Sequence, residues 1–385
     1  SGVLFTRDVM TGENRLTGRF APQAAGPAVV GRSEAEIWPI EQLREAFPEV
    51  YRRLEEAKTV LERHFGSAQE VEFVIEDGRL WFVQSRDAVL SPQAQAQVAV
   101  DMTNERLLDP IRMLTRLIQA QEAQQKRQLY KIREGARLDV MGRGIPSSPG
   151  AVQGVVVFSL EEAHAQRQAG RTPIFFASQD RASEVEAAIL SGVVGGIVTQ
   201  YGHEALHESV LARSQGLPLI DQVDDAVFER GAITIQGKPL KAGTSIIMDG
   251  SSGQLYLSDD STLLVEDHTV SVVGISFDYA AEAATIRATY ESASTRELLA
   301  KHEELVATLR RTPHVTAESL RKNVEAHTIH LLLLEKGVPL VEPIVKGGVP
   351  KGTANVEERV RDILASVRDY QDGMLLDYEA HIDTI

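Results

Sequence analysis

The sequence contains no cysteine among its 385 residues. This absence excludes disulfide bonds, thiolate catalysis and cysteine-based zinc sites, and it is compatible with the reducing cytoplasm, where we place the protein. The sequence also lacks any apolar run near the roughly 20 residues that a membrane-spanning helix needs, so we expect no membrane partner. Its start, SGVLFTRDVMTG, has neither an initiator methionine nor a signal-peptide pattern. We therefore expect the chain to enter a domain midway, as one part of a longer protein does.

Basic side chains are in the minority, with 40 Lys and Arg against 55 Asp and Glu and a net charge of −15. This balance excludes nucleic acid and anionic membranes as main partners, although it is compatible with a local basic pocket for phosphate groups. The remaining composition is that of an ordinary globular protein, with 43% hydrophobic and 25% charged residues. The length predicts two or three domains.

The first segment, residues 1–88, combines β-type runs with one helical pattern. Apolar residues recur at helical spacing over residues 48–65. Residues 71–75 and 79–84 then alternate as two strands do, and residues 76–78 form a hairpin signal between them. The pattern predicts an α+β unit that ends in a β-hairpin.

Three further segments follow. Residues 89–138 are rich in Gln, Ala, Arg and Leu, which predicts helices that join domains, with a break at Asp109 and Pro110. Residues 139–260 alternate helical stretches with short β runs, which is typical of a compact α/β domain. The β runs lie at residues 155–158, 174–176, 196–198, 232–235, 245–248 and 254–257. Residues 261–385 are mostly helical in pattern.

The most informative stretch is GGIVTQYGHEALHESVLARSQGLPLI, residues 195–220. A strand-like run leads into Gly202, and a helix-competent segment then carries His207. A histidine near the start of a helix suits phosphoryl chemistry, because backbone N–H groups and the positive dipole end favour a phosphoryl group there. An imidazole is also nucleophilic at neutral pH without an activating partner. His207 is therefore the candidate catalytic residue.

The same letters allow a second interpretation, because His203, Glu204 and His207 fit the H-E-x-x-H motif of zinc hydrolases. Two histidines four residues apart share a helix face, and Glu204 would be the base. The further ligand expected downstream is missing, since the sequence has Val210 and Arg213 at those positions. A third interpretation is a plain helix with a packed or solvated histidine.

The predicted hairpin carries a second group of candidates. Glu72 and Gln84 lie on facing strands, and their oxygens suit Mg²⁺ that bridges phosphates. Arg86 would neutralise phosphate charge, and Arg7, near a strand end, is a weaker candidate of the same kind. Judged by spacing alone, a solvated strand face with a salt bridge explains these residues better.

Two other groups are assigned no chemistry. Residues 346–353, KGGVPKGT, lack the order of a phosphate-binding loop and predict a solvated turn. His327 and His330 precede a leucine run on a buried-looking helix, where a structural role is expected.

Several of these stretches resemble the pyruvate phosphate dikinase and phosphoenolpyruvate synthase family. Residues 2–12 are similar to GVLFTRNPxTG, in the second half of the family's ATP-grasp domain. Residues 70–86 resemble its D-I-E-F…L-W-x-L-Q-x-R ending, and residues 144–150 resemble the start of its phosphohistidine domain. TQYGHEALHESVLAR, residues 199–213, is similar to TARGGMTSHAAVVAR and aligns without a gap.

The resemblance implies an α/β multi-domain protein in four parts. These are the C-terminal half of an ATP-grasp nucleotide-binding domain at residues 1–88, a helical linker at 89–138, an α/β phosphohistidine swivel domain at 139–260, and a helical region of unknown role at 261–385. The last segment is too short for the family's phosphoenolpyruvate-binding barrel, which needs about 250 residues.

The resemblance also implies an activity. The family is a phosphotransferase family, in which ATP phosphorylates a histidine and that histidine passes phosphate to an acceptor such as pyruvate, in phosphoenolpyruvate metabolism. His207 falls on the phosphorylated histidine, Glu72 and Gln84 on metal and nucleotide positions, and Arg7 and Arg86 on nucleotide positions. The expected ligands are ATP as substrate, Mg²⁺ and a small-molecule acceptor, and another segment or partner subunit would supply the rest of the ATP-grasp domain.

The chain departs from the family pattern around the histidine. The family's Thr and Ser before it are Ala205 and Leu206, the following alanines are Glu208 and Ser209, and the arginine before the glycines is Tyr201. A hydroxyl and a cation that would touch a phosphoryl group are therefore lost, and Glu208 adds negative charge. The alternatives are a weakened interaction or regulatory protein on the same folds and the zinc hydrolase.

Overall fold

The computed structural model describes residues 1–22, 37–76, 78–126, 129–229, 231–267, 269–312 and 314–338. Part of the C-terminal segment, including the KGGVPKGT stretch at residues 346–353, lies outside the described residues. No helix among the described residues is both long enough and apolar enough to cross a membrane.

The first unit is an antiparallel sheet covered on one face by a helix. The strands are β1 (Gly2–Phe5), β2 (Thr17–Phe20), β3 (Trp38–Pro39), β4 (Gln69–Glu76) and β5 (Arg79–Asp87), in the order β3-β2-β1-β4-β5. The helices are α1 (Leu43–Ala46) and α2 (Pro48–Phe65). Helix α2 has the predicted bounds, because Pro48 starts it and Gly66, at φ +64°, ends it.

The two faces of this sheet differ in chemistry. Residues directly opposite each other on antiparallel strands point to the same face. One face carries Leu4, Val71 and Phe73, which pack against α2 in a buried core. On the other face, Glu72 pairs with Gln84, and Glu70 with Arg86. The predicted hairpin candidates Glu72, Gln84 and Arg86 therefore share the face away from α2.

The next segment forms helices α3 (Pro92–Asn104) and α4 (Pro110–Lys126), with the predicted break before Pro110. Its last part is not helical, because it contains strand β6 (Tyr130–Ile132). The helices do not merely join domains. They share one buried core with elements from far along the chain, among them β19 (Val270–Val272), β20 (Ile275–Phe277) and α10 (Ala317–Glu335).

The α/β unit has a mixed sheet in the order β7-β17-β16-β9-β10-β11-β12-β8. Its strands are β7 (Val140–Arg143), β8 (Ile145–Ser148), β9 (Ala151–Val157), β10 (Pro173–Ala177), β11 (Gly196–Thr199), β12 (Leu219–Asp221), β16 (Ser245–Asp249) and β17 (Gln254–Leu257). A small antiparallel sheet of β13 (Ala226–Glu229), β14 (Ala232–Ile235) and β15 (Lys238–Lys241) packs beside it. The helices are α5 (Leu160–Gln168), α6 (Ala182–Ser191) and α7 (His207–Gln215). All six predicted β runs are strands, so this unit agrees with the prediction.

The C-terminal segment begins with strands before its helices. Strand β18 (Leu264–Glu266) pairs with β6, and β19 pairs with β20 as a hairpin. Helices α8 (Tyr279–Tyr290), α9 (Thr295–Arg311) and α10 follow. His327 and His330 lie on α10, where Nδ1 of His327 is 2.9 Å from the Tyr279 hydroxyl and the His330 ring lies against that of His302. For the described part of this segment, up to residue 338, the prediction of helices is confirmed, whereas the strand pairs at its start were not predicted.

Candidate functional site

The candidate catalytic histidine is the first residue of a helix. Strand β11 ends at Thr199, the chain turns at Gly202 with φ +124°, and α7 begins at His207. The side chain of His207 is 66% exposed, and its Nε2 lies 3.9 Å from Oε1 of Glu186 on α6. The imidazole is therefore accessible and lies at the positive end of the helix dipole, as the sequence predicts.

A buried carboxylate supports the loop that leads to His207. Asp221, the last residue of β12, accepts hydrogen bonds from Thr199 Oγ1 at 2.5 Å and from Ser209 Oγ at 2.9 Å. Thr199 precedes the loop and Ser209 follows it, so one side chain holds both ends. Burial raises the pKa of Asp221 to about 6. Sequence reasoning missed Asp221, because it follows an apolar strand and meets its partners only in the folded sheet.

The positions of the two histidines do not favour the zinc interpretation. His203 lies before α7, is buried, and accepts the backbone N–H of Ala205 with its Nδ1 at 3.3 Å. It therefore shares no helix face with the exposed His207, and the H-E-x-x-H letters span a turn and a helix start. Among the described residues, no three His, Asp or Glu side chains gather as metal ligands.

The loop before His207 docks on the strand face of the first unit. Ala205, 3% exposed, lies in an apolar cluster with Val3, Phe5, Val9 and Ala21. Val3 pairs with Glu72 across β1 and β4, and Phe5 with Glu70. The loop therefore covers the strands next to the hairpin candidates, on the sheet face opposite α2.

Polar contacts accompany this docking. Arg19 Nη2 on β2 lies 3.1 Å from Glu204 Oε2 in the loop. Burial opposes the charge of Glu204, but Arg19 outweighs that effect and lowers the pKa of Glu204. Arg213 on α7 is fully buried and donates to three carbonyl oxygens, those of Ser147 and Glu204 at 2.7 Å and that of Val89 at 3.2 Å. Burial lowers the pKa of Arg213 to about 10, which leaves it charged at neutral pH.

The hairpin presents oxygen donors next to a cation. Glu72 is half-buried and Gln84 is exposed. Glu70, a residue that sequence reasoning did not select, is 2% exposed and accepts Arg86 Nη2 with Oε1 at 2.5 Å. No described residue donates to Oε2 of Glu70. Oε2 of Glu70 is thus a buried carboxylate oxygen that can still accept a hydrogen bond or bind a cation. Together with Glu72 and Gln84, it fits a hard cation that also binds phosphates.

Arg7 lies in a different environment from the one expected. Its side chain is fully buried, and Nε, Nη1 and Nη2 donate to the carboxylates of Glu62 and Glu105 at 2.7 to 3.1 Å. Burial works against its charge, but the two carboxylates raise the pKa of Arg7 overall. In this arrangement Arg7 joins β1 to α2 and to the end of α3, and it exposes no surface to a ligand.

Comparisons with known proteins agree with this architecture. Residues 32–107 match the family model described as pyruvate phosphate dikinase, AMP/ATP-binding domain, and residues 174–253 match the one described as PEP-utilising enzyme, mobile domain. The second range contains His207 with its whole loop, and the first contains the hairpin of β4 and β5.

Three relatives illustrate the similarity and its extent. The chain is 31% identical over 261 residues to the chloroplastic pyruvate, phosphate dikinase of Flaveria pringlei. The aligned region covers 67% of the chain and 27% of that relative. It is 32% identical over 268 residues to the enzyme of Rhizobium meliloti (strain 1021), and the aligned region covers 66% of the chain and 29% of that relative. For the enzyme of Clostridium symbiosum the identity is 31% over 267 residues, covering 68% and 30%. The chain thus spans less than a third of the length of these relatives.

Proposed function

Because the chain belongs to the pyruvate, phosphate dikinase family, we propose that it is a phosphotransferase in which His207 carries the phosphoryl group. One observation supports this most directly. His207 is exposed at the first position of α7, in a loop docked on the sheet face that bears Glu70, Glu72 and Gln84. This arrangement brings a nucleophile and a set of phosphate-compatible side chains to neighbouring parts of one surface.

The first step is the phosphorylation of His207 by ATP. A neutral imidazole nitrogen would attack the β-phosphorus of ATP, forming an N–P bond while the P–O bond to the leaving AMP breaks, and inorganic phosphate would then take the γ-phosphoryl group as pyrophosphate, which leaves the β-phosphoryl group on the histidine. The dipole of α7 stabilises the incoming negative charge at its N-terminus. Asp221 keeps the loop and the start of α7 in place through Thr199 and Ser209. In the second step the N–P bond breaks and the phosphoryl group passes to an oxygen of an acceptor such as pyruvate.

The hairpin would hold the nucleotide and its metal ion. Glu72 and Gln84 would supply oxygen ligands, and the buried Oε2 of Glu70, which accepts no hydrogen bond from a described residue, would add a third. Mg²⁺ bound there neutralises phosphate charge, and it needs only one or two carboxylates because phosphates and waters complete its shell. Arg86, half exposed and paired with Glu70, would face a phosphate. We leave Arg7 out of this group, because two carboxylates already occupy its guanidinium.

The substitutions beside His207 would slow the reaction. Ala205 and Leu206 are buried and bring no hydroxyl to the phosphoryl group, and Glu208 adds negative charge next to it. Each lost neutral hydrogen bond is worth about 1 kcal/mol, so a loss of one or two powers of ten in rate is expected. The second candidate, a regulatory or interaction protein on the same folds, rests on these substitutions.

The proposed phosphotransferase function also implies which partners the chain binds. They are ATP, a small-molecule acceptor, and the remaining part of an ATP-grasp domain from another segment or subunit. We propose the cytoplasm as the compartment, since the chemistry uses ATP and the chain has no cysteine.

The test is labelling by ATP radiolabelled at the β-phosphate, with Mg²⁺ and phosphate, with and without the nucleotide-binding segment of a bacterial relative. We expect slow, acid-labile label that His207→Ala abolishes. His164→Ala, on the exposed surface of α5, is the matched control and should label normally. Label that survives His207→Ala would refute the assignment. Absence of label from both ATP and phosphoenolpyruvate would favour the regulatory protein.

A further inference from the structure

Arg19 and Glu204 connect the loop that carries His207 to the first unit. We propose that they are an interdomain positioning pair, which selects the docked arrangement of this loop and holds His207 beside the nucleotide face. The proposal rests on the proposed function for the assignment of the reaction steps. The docking contact itself does not depend on that function.

The pair is an ion pair largely withdrawn from solvent. Nη2 of Arg19 lies 3.1 Å from Oε2 of Glu204, and the two side chains are 18% and 14% exposed. The residues are 185 positions apart in sequence; Arg19 lies on a strand of the five-stranded sheet, whereas Glu204 lies in the loop that follows β11 of the eight-stranded sheet. Removal of one partner leaves a poorly hydrated charge without its counter-ion, which costs far more than the loss of an exposed pair. When a substitution removes the charge of one residue, the charge left on the other therefore strongly disfavours docking.

The contacts next to this pair do less than the pair itself to fix the orientation in which the loop docks on the first unit. Ala205 packs with Val3, Phe5, Val9 and Ala21, and apolar contact of this kind is not directional. Arg213 donates to three carbonyl oxygens, of which only that of Val89 lies outside the α/β unit, next to the end of the first unit. A charge pair at the rim of an apolar contact fixes how two surfaces meet and excludes other arrangements.

The pair is not a feature of the family motif. In TARGGMTSHAAVVAR the position of Glu204 is a methionine, which forms no ion pair. Arg19 lies on β2, outside every motif that carries the resemblance. The contact therefore distinguishes this chain from the pattern to which it is similar.

The position of the pair links it to the order of the two steps. Phosphorylation of His207 needs the loop on the nucleotide face, whereas delivery to an acceptor needs the α/β unit to leave that face. A pair that stabilises only the docked arrangement speeds the first step and slows the second. Breaking it should separate the two rates in opposite directions, which a merely structural defect would not do.

The experiment compares two single variants, Arg19→Gln and Glu204→Gln, and one double variant that exchanges the charges, Arg19→Glu/Glu204→Arg. All of them are made in the full chain. Amide hydrogen exchange is followed by mass spectrometry in β1, β2 and residues 200–208. We expect each single variant to exchange about tenfold faster in these segments, and the reversal to restore a large part of the protection. Arg287→Gln, which breaks an exposed pair with Glu335 in the C-terminal helices, is the matched control and should leave them unchanged.

The two half-reactions are measured on the same variants, with the nucleotide-binding and acceptor-binding segments of a bacterial relative supplied. The rate of His207 labelling by ATP should fall, and the loss of label to pyruvate should rise. Exchange at the wild-type rate in both single variants, or no recovery on charge reversal, would overturn the proposal. If exchange changes as expected but even the wild-type chain takes no label, the positioning pair stands and the proposed function fails.

Discussion

A Cβ atom on Gly202 would lie 2.4 Å from Oδ1 of Asp221, so the turn before His207 rests directly on a buried carboxylate. The turn also has φ +124°, a conformation that side-chain-bearing residues rarely adopt. Loop, carboxylate and helix start therefore form one packed group, in which the absence of a side chain at position 202 is a structural requirement.

Gly202→Ala should destabilise the protein by about 2–4 kcal/mol, from backbone strain together with the contact on Asp221. Urea unfolding measures the loss. Gly170→Ala is the control, because Gly170 also has positive φ but nothing lies within 4 Å of its added Cβ. That variant should cost about 1 kcal/mol. Equal losses at both positions would mean that the carboxylate makes no contribution.

Asp221→Asn should change how stability depends on pH. Burial raises the folded-state pKa of Asp221 to about 6, above an unfolded value of about 3.9. Such a group contributes stability that is present at low pH and is lost as pH rises through about 6. The amide does not titrate, so its stability relative to wild type should be higher at pH 8 than at pH 5, by about 1.4 kcal/mol. Urea unfolding at both pH values is the measurement, and the exposed Asp259→Asn should show no such change.

Arg7→Met should be among the most destabilising single changes in the first unit. Methionine leaves Glu62, 2% exposed, and Glu105 without their shared cation. The expected loss is about 3–5 kcal/mol in chemical unfolding. Arg52→Met is the control, because this arginine on α2 is 55% exposed and its ion pairs lie in solvent, so its loss should cost far less than that of Arg7. Adding Glu62→Leu to Arg7→Met should recover part of the loss, and a further loss would contradict this account.

Ala205→Thr restores the residue of the family motif, but it should weaken docking here. The added hydroxyl would enter the apolar cluster of Val3, Phe5 and Val9, where a buried unpaired hydroxyl costs about 1–3 kcal/mol. We expect faster amide exchange in β1, and slower labelling of His207 because this cost to docking outweighs the roughly 1 kcal/mol that a hydrogen bond to the phosphoryl group would contribute. Ala165→Thr, at an exposed position of α5, should have no effect on either. Faster labelling in Ala205→Thr would show that the hydroxyl reaches the phosphoryl group instead.

Local signals in the sequence account for much of the fold. Pro48 and Gly66 mark the ends of α2, and alternation with a turn signal marks the hairpin of β4 and β5. Gly202 before a helical pattern places His207 at a helix start. In each case the determinants lie within a few residues of the element, so periodicity and turn chemistry suffice.

The remaining features depend on contacts between distant parts of the chain. Short strands such as β8 and β12 have little periodicity of their own and form because a neighbouring strand pairs with them. Glu70 shares a face with Glu72, but only the folded docking shows that it is buried. Arg7 looks like a free surface cation until Glu62 and Glu105 are brought to it from 55 and 98 positions away.

Strand β6 pairs with β18, which is far along the chain, so this part of the fold is completed only late in synthesis. Helices α3 and α4 are synthesised early, yet the core that buries them is completed by β19, β20 and α10. All of the α/β unit, which has its own core, lies between these two sets of elements. During translation the inserted unit can therefore close first, while the apolar faces of α3 and α4 wait for partners that emerge later. During that interval the apolar faces of these two helices are exposed on the nascent chain, where a chaperone would prevent their aggregation.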